Sequence, residues 1–193
     1  MPYESRMTAH SLDPRSPWVM STHQLGRQAG SMQRVERVLP APADLGVDMI
    51  GVPKGADVEL SIRLEAVMEG VLVTGTARAP LQGECVRCLD PLTSRTEVGF
   101  QELFFYSAED AGEDDPLLDG ELLDLEPTFR DAVVLSLPLS PVCREDCPGL
   151  CVECGVKLAE AGADHRHDDR TDIRWAALKD LKLTTDNDDD QEG

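Results

Sequence analysis

The chain has 193 residues, with 37 Asp and Glu against 18 Lys and Arg and a formal net charge of −19. That length suits one medium domain with extensions, or a domain plus a small appended module, and is enough for a core without staples. So acidic a field opposes tight, salt-driven binding to nucleic acid, and no apolar run approaches the ~20 residues that span a bilayer.

Residues 1–14 read as a disordered leader. Met1-Pro-Tyr-Glu-Ser-Arg is followed by polar residues through Arg15, with no apolar core of a secretory signal. A reducing, cytoplasmic setting is therefore expected. Residues 15–140 read as a β-rich domain. Pro17-Trp-Val-Met20 predicts a short first strand, Met32–Leu39 is ambiguous between states, and Pro40-Ala-Pro punctuates it. The clearest signal follows: Val58, Leu60, Ile62, Leu64, Ala66 and Met68 alternate with mostly polar neighbours, the period-two pattern of a strand with one buried face. Glu69-Gly70 makes a turn, and Val71, Val73, Gly75, Ala77 and Ala79 continue as a partner. After Cys85-Val-Arg-Cys88, alternation resumes at Thr96, Val98, Phe100, Glu102 and Phe104, so this C-x-x-C sits at a tip between two strands.

An acidic loop over 107–120 holds Glu109, Asp110, Glu113, Asp114, Asp115 and Asp119 and reads as a solvated, disordered run. Glu121-Leu-Leu-Asp-Leu125 is a candidate short strand. A helix is expected from about Glu126, with Pro127 in its first turn and Phe129, Ala132, Val133 and Ser136 on one face; Pro138 and Pro141 end it. Residues 141–183 form a cysteine-rich segment and a last helix from about Asp172, and 184–193 an acidic disordered tail. These elements predict an α+β chain that is mainly β. The expected architecture is an antiparallel sheet or partly open barrel with a short helix, a cysteine-rich zinc-type segment and a C-terminal helix.

Six cysteines carry the chemical signal. Cys143-x3-Cys147-x3-Cys151-x2-Cys154 gathers four thiols in one short stretch, and Cys85 and Cys88 form a second knuckle. In a reducing compartment such spacing points to metal more than to disulfides. Zinc takes four soft or borderline ligands in a tetrahedron, and a C-x-x-C turn followed by glycine, as in Cys151-Val-Glu-Cys154-Gly155, aims two sulfurs at one point. Three partner sets are open for this knuckle. Cys143 and Cys147 are nearest in sequence and lead the expectation, with Pro148-Gly149 turning the chain back. His165 and His167, two apart on one face of an extended segment, are the second. Cys85 and Cys88, across the fold, are the third. A four-thiolate ion would be structural and closed to substrate.

Other chemistry finds no support. Cys147-x3-Cys151-x2-Cys154 matches the thiolate spacing of radical-SAM enzymes, but fewer than forty residues follow Cys154, too few for their barrel. No phosphate loop, dinucleotide fingerprint or nucleophile elbow is present. The expectation is a protein with no catalytic residues and no small-molecule substrate.

Three stretches resemble the YceD family of bacterial proteins, which is linked to accumulation of large-subunit ribosomal RNA. Gly83-Glu-Cys-Val-Arg-Cys-Leu-Asp-Pro91 resembles the family's C-x-R-C turn, and Leu137–Gly155 its C-x3-C-x-G-L-C-x-x-C-G stretch. Asp172–Leu181 resembles its closing helix, with Ile173 in place of the usual proline. Where many relatives carry C-x-C, this chain has His165-Arg-His167, one zinc-ligand type exchanged for another. The resemblance, from about Leu12 to Leu183, implies a non-enzymatic role in making, processing or stabilising large-subunit (23S) ribosomal RNA. It also implies partners among ribosome-assembly components. The acidic field fits a basic large-subunit ribosomal protein better than direct contact with rRNA. Competing expectations are a zinc-ribbon adaptor in another complex, such as transcription, and a thiol redox or iron–sulfur enzyme.

Overall fold

Alternation is what builds the sheet. In a computed structural model describing residues 11–162 and 164–167, Asp57–Ala66 forms a strand that buries Val58, Leu60, Ile62, Leu64 and Ala66 and exposes Glu59, Ser61 and Arg63. The chain divides into two compact units, Met1–Gly149 and Leu150–Gly193. The helix expected from Asp172, the tail 184–193 and residues 1–10 of the leader lie outside the described residues.

In the first unit the strands are β1 (Val19–Ser21), β2 (Met32–Pro40), β3 (Leu45–Val47), β4 (Ile50–Val52), β5 (Asp57–Ala66), β6 (Gly70–Glu84), β7 (Pro91–Phe105) and β8 (Leu122–Asp124). A helix, α1, covers Glu126–Ser136. Six strands make one antiparallel sheet in the order β2-β5-β6-β4-β3, with β7 on the other edge of β6; β1 and β8 pair separately. The sheet does not close, so of the two architectures expected the open sheet is the one formed.

The long hairpin is the element that matters for the site. β6 and β7 pair without interruption from Gly70↔Phe105 to Glu84↔Pro91, fifteen residues each and roughly 45–50 Å of ribbon. Sequence pattern alone ends the first of these strands near Ala79, because Pro80 lacks a donor for a ladder. The structure runs through it. β5 pairs with β6 only as far as Arg78, and β4 takes up the same edge at Gln82 and Gly83. Pro80 falls in the gap between them, where a missing N–H is tolerated. The β3–β4 hairpin that fills this edge was not foreseen, because three-residue strands around Gly46 and Gly51 carry no usable periodicity. The ambiguous Met32–Leu39 segment is strand, held in register by β5.

Gly75 lies opposite Phe100, whose ring covers it: a Cβ there would sit 2.5 Å from Phe100 Cζ. We expect Gly75→Val to cost about 1–3 kcal/mol through overpacking, read as a lower urea midpoint at constant slope.

α1 starts as the sequence suggests. Asp124 Oδ1 accepts the Glu126 N–H (3.0 Å), Pro127 occupies the first turn, and Phe129 and Val133 are fully buried against the sheet. The ring of Phe129 stacks on Trp18 at 4.4 Å, and Trp18 Nε1 donates to Pro40 O (3.0 Å). Arg130 donates to the carbonyls of Asp44 (2.8 Å) and Ala43 (3.0 Å), tying the helix to the turn before β3.

The acidic loop differs from its expected disorder. Phe105 N–H donates to Pro116 O and Leu118 N–H to Phe105 O (both 2.9 Å), while Leu118 packs on the core. One apolar side chain among the carboxylates, with these backbone bonds, pins the loop against β7. Beyond the unit boundary, Leu150 bridges Lys157 and a single turn, α2 (Leu158–Ala161), follows.

Candidate metal centres

Two C-x-x-C turns are built to one plan. In the first, Cys85 N–H donates to Asp90 O and Leu89 N–H to Cys85 O (both 2.8 Å). In the second, Cys151 N–H donates to Val156 O and Gly155 N–H to Cys151 O (both 2.8 Å). The residue after each second cysteine takes a positive φ: 60° at Leu89 and 73° at Gly155. Glycine adopts that conformation freely, whereas leucine is strained by roughly 1–2 kcal/mol. The strain is tolerated at Leu89 because the turn closes a long, firmly paired hairpin.

Each turn finds two further donors within its own unit. Cys85, Cys88, Cys143 and Cys147 form one set, and Cys151, Cys154, His165 and His167 another; in each, the four ligand atoms lie within 4.8 Å of one another. Either set could hold a metal ion. The sequence reading led with Cys143, Cys147, Cys151 and Cys154 on one ion. The structure groups those four thiols two and two. Cys143 and Cys147 turn to the hairpin tip because the tip holds their loop. Val86 N–H donates to Pro141 O (2.9 Å), and Arg87 Nη1 donates to Glu145 O and Cys147 O (both 3.1 Å). Arg87 is the R of the C-x-R-C pattern, which gives no role for it; the structure gives it one, holding the loop that carries Cys143 and Cys147.

Three thiols of the first set are enclosed, and Cys143 is exposed. Cys85 is fully buried, Cys88 and Cys147 nearly so, and Leu92 and Val142 pack beside them in an apolar cluster separate from the main core. Cys85 Sγ is 3.9 Å from Cys147 Sγ, and Cys88 Sγ is 3.7 Å from Cys143 Sγ. A disulfide needs about 2.05 Å. Tetrahedral thiolates around zinc at about 2.3 Å are separated by about 3.8 Å, which these spacings match.

The thiols are also electrically prepared. Burial opposes ionisation of Cys85, but the backbone N–H groups of Cys143, Cys88 and Arg87 outweigh it and lower its pKa to about 6. Cys88 moves the other way, to about 12: the Asp90 N–H favours its thiolate, but burial and the neighbouring sulfurs of Cys85, Cys147 and Cys143 prevail. Cys143 is raised, chiefly by Cys147 and by burial. The backbone N–H groups of the tip thus favour a thiolate at Cys85, and a divalent cation would offset the burial and crowding that hold Cys88 and Cys143 up.

In the second set Cys151 Sγ lies 3.2 Å from His167 Nε2, and Cys154 Sγ 3.5 Å from His165 Nε2. The N–H of Cys154 first, then the His165 ring and the N–H of Glu153, lower Cys151 to about 6. Cys154 and His167 are exposed, Cys151 and His165 half-buried.

Both donor sets fall inside a match to known sequences. Residues 73–182 match the family described as "Large ribosomal RNA subunit accumulation protein YceD". The chain belongs to the YceD family. Uncharacterized proteins of Mycobacterium tuberculosis and Mycobacterium bovis are 44% identical to it over 171 residues, covering 86% of this chain and 82% of theirs. An uncharacterized protein of Mycobacterium leprae is 40% identical over 173 residues, 86% of this chain and 78% of its own. No solved structure matches the chain. YceD is not a known enzyme family, and its description ties it to the ribosome. Among the described residues no helix is long and apolar enough to cross a membrane.

Proposed function

We propose that this protein is a non-enzymatic factor in the synthesis, processing or stability of large-subunit ribosomal RNA, acting in ribosome biogenesis. In this reading zinc on Cys85, Cys88, Cys143 and Cys147 is a structural part. The observation that carries the reading is the family match across residues 73–182, which includes the whole hairpin tip and the loop that closes on it. Four thiolates fill a tetrahedral ion's coordination, leaving no position for water or substrate. Such a site fixes shape. What it fixes is the end of the β6–β7 ribbon, a surface for docking.

A net charge of −19 favours a basic protein partner over bare phosphate. A basic large-subunit ribosomal protein, met on assembling precursors in the cytoplasm, fits that requirement. Deleting the gene should lower the ratio of mature large-subunit to small-subunit ribosomal RNA, measured on total RNA. The wild-type gene should restore the ratio, and a Cys85→Ser/Cys88→Ser copy should not. An unchanged ratio in the deletion strain overturns the proposal.

A further inference from the structure

We propose that Cys151, Cys154, His165 and His167 bind a second divalent ion of the zinc type, independently of the four-thiolate site, with Glu153 as the positioning residue for the His167 ring. The proposal does not depend on the ribosomal role.

The first argument is convergence. His165 Nε2 and His167 Nε2 face each other at 3.0 Å, with one sulfur at 3.2 Å and another at 3.5 Å. An N–H···N bond satisfies the nitrogen pair alone and gives no reason for two sulfurs to close on the same nitrogens. A cation at the centre takes a lone pair from each of the four atoms.

The second argument is distance. Zinc at about 2.3 Å from sulfur and 2.0–2.1 Å from nitrogen sets S···N edges near 3.6 Å and an N···N edge near 3.3 Å. The observed spacings lie at or slightly inside these values. A two-iron cluster of the kind that uses two Cys and two His seats the thiolates and the imidazoles on different irons. Here all four atoms lie within 4.8 Å of one another, a single-ion arrangement. Two sulfurs and two nitrogens in a tetrahedron select zinc over calcium, magnesium or square-planar copper.

The third argument lies behind the ligands. With Nε2 turned to the centre, His167 Nδ1 is 3.5 Å from Glu153 Oε2. A carboxylate behind a ligating histidine fixes its tautomer and orientation and makes the ring a better ligand. Glu153 is one of the two residues inside the C-x-x-C, so the turn that supplies two thiolates also supplies this orienting group. Cys154 and His167 are exposed whereas the first set is largely buried, so the second ion should exchange faster.

The test uses the full chain, purified reduced and passed over a chelating resin, with zinc counted by mass spectrometry of the digested protein. Wild type should retain two ions. His165→Asn/His167→Asn and Cys151→Ser/Cys154→Ser should each retain one, as should Cys85→Ser/Cys88→Ser. Cobalt loading checks the assignment without relying on counts. The His165→Asn/His167→Asn chain should lose the mixed sulfur–nitrogen part of the d–d absorption and keep the all-sulfur part. Glu153→Gln should bind two ions in excess zinc, yet release the second to a chromophoric chelator at about tenfold lower competitor concentration. A single ion that only the Cys85→Ser/Cys88→Ser change removes overturns the second site and leaves the four-thiolate reading in place. A single ion that only the Cys151→Ser/Cys154→Ser change removes upholds the second site and overturns the four-thiolate one. Two ions in the His165→Asn/His167→Asn chain overturn the histidine ligands.

Discussion

Stripping the ion from Cys85, Cys88, Cys143 and Cys147 should lower the melting temperature by roughly 10 °C and open the hairpin tip before the sheet. The size follows from linkage. A ligand held at ~1,000 times its dissociation constant stabilises the folded state by about 4 kcal/mol. That is well below the ~10–16 kcal/mol of apparent binding energy in zinc-finger peptides. At roughly 2–4 °C per kcal/mol for a chain of this length, the shift is about 8–16 °C. The location follows from packing. Cys85, Cys88 and Cys147 form a small cluster with Leu92 and Val142, apart from the main core. Without the ion the tip and its loop are left to this small cluster, the Val86–Pro141 backbone bond and the Arg87 bonds, so residues 85–90 and 141–147 should gain hydrogen exchange. β5 and the paired length of β6 and β7 should stay protected by their own ladder and core. Differential scanning calorimetry and exchange mass spectrometry, with and without a strong chelator, read both effects. An unchanged melting temperature in a chain shown to have lost its metal would refute the structural role of the ion.

What the sequence conveyed about this site depended on range. The two C-x-x-C turns were legible because each is local: two thiols and a two-residue spacer, with Gly155 free to take positive φ after the second. The placement of Cys85 and Cys88 between two strands was legible for the same reason, since alternation flanks them on both sides. Which pair closes on which turn was not. Cys88 and Cys143 are separated by all of β7, the acidic loop and α1, and no local spacing encodes a contact across that distance. Proximity in sequence favoured Cys143 and Cys147 for the second turn. The backbone bond from Val86 to Pro141 and the Arg87 guanidinium decide otherwise. The fold shows the same boundary. β5, the first half of β6 and α1 follow from periodicity and the first-turn Pro127, whereas β3, β4 and the run of β6 through Pro80 depend on which strand lies alongside. The acidic loop misled because charge density hides the single apolar anchor Leu118, which packs on the core while Leu117 bridges Phe105 through the backbone.

Replacing Phe129 by alanine should cost about 3–5 kcal/mol, the range for truncating a buried aromatic ring. The position explains why the upper part of that range is expected. Phe129 is fully buried and stacked on Trp18 at 4.4 Å and 19°, so the change removes both a large apolar volume and a ring pair worth ~0.5–1.5 kcal/mol. Relaxation into the cavity is restricted on each side. Trp18 is fixed by its indole bond to Pro40 O, and the helix is fixed one residue along by Arg130 on the carbonyls of Ala43 and Asp44. Leu123, Leu125 and Val133, each fully buried, belong to the same core cluster and are equally confined. The urea midpoint of the first unit should fall with little change in slope, and Phe129→Leu should lose far less. The metal tells this effect apart from the loss of the tip. α1 packs on β7 and β3, and its buried side chains lie in the main core, whereas Cys85, Cys88 and Cys147 have their own small cluster. Below its transition, Phe129→Ala should therefore keep its full zinc content and its cobalt spectrum, although the whole unit melts earlier. If the variant sheds metal while still folded, the core and the thiolate cluster are one cooperative structure, and the hairpin does not hold its tip independently.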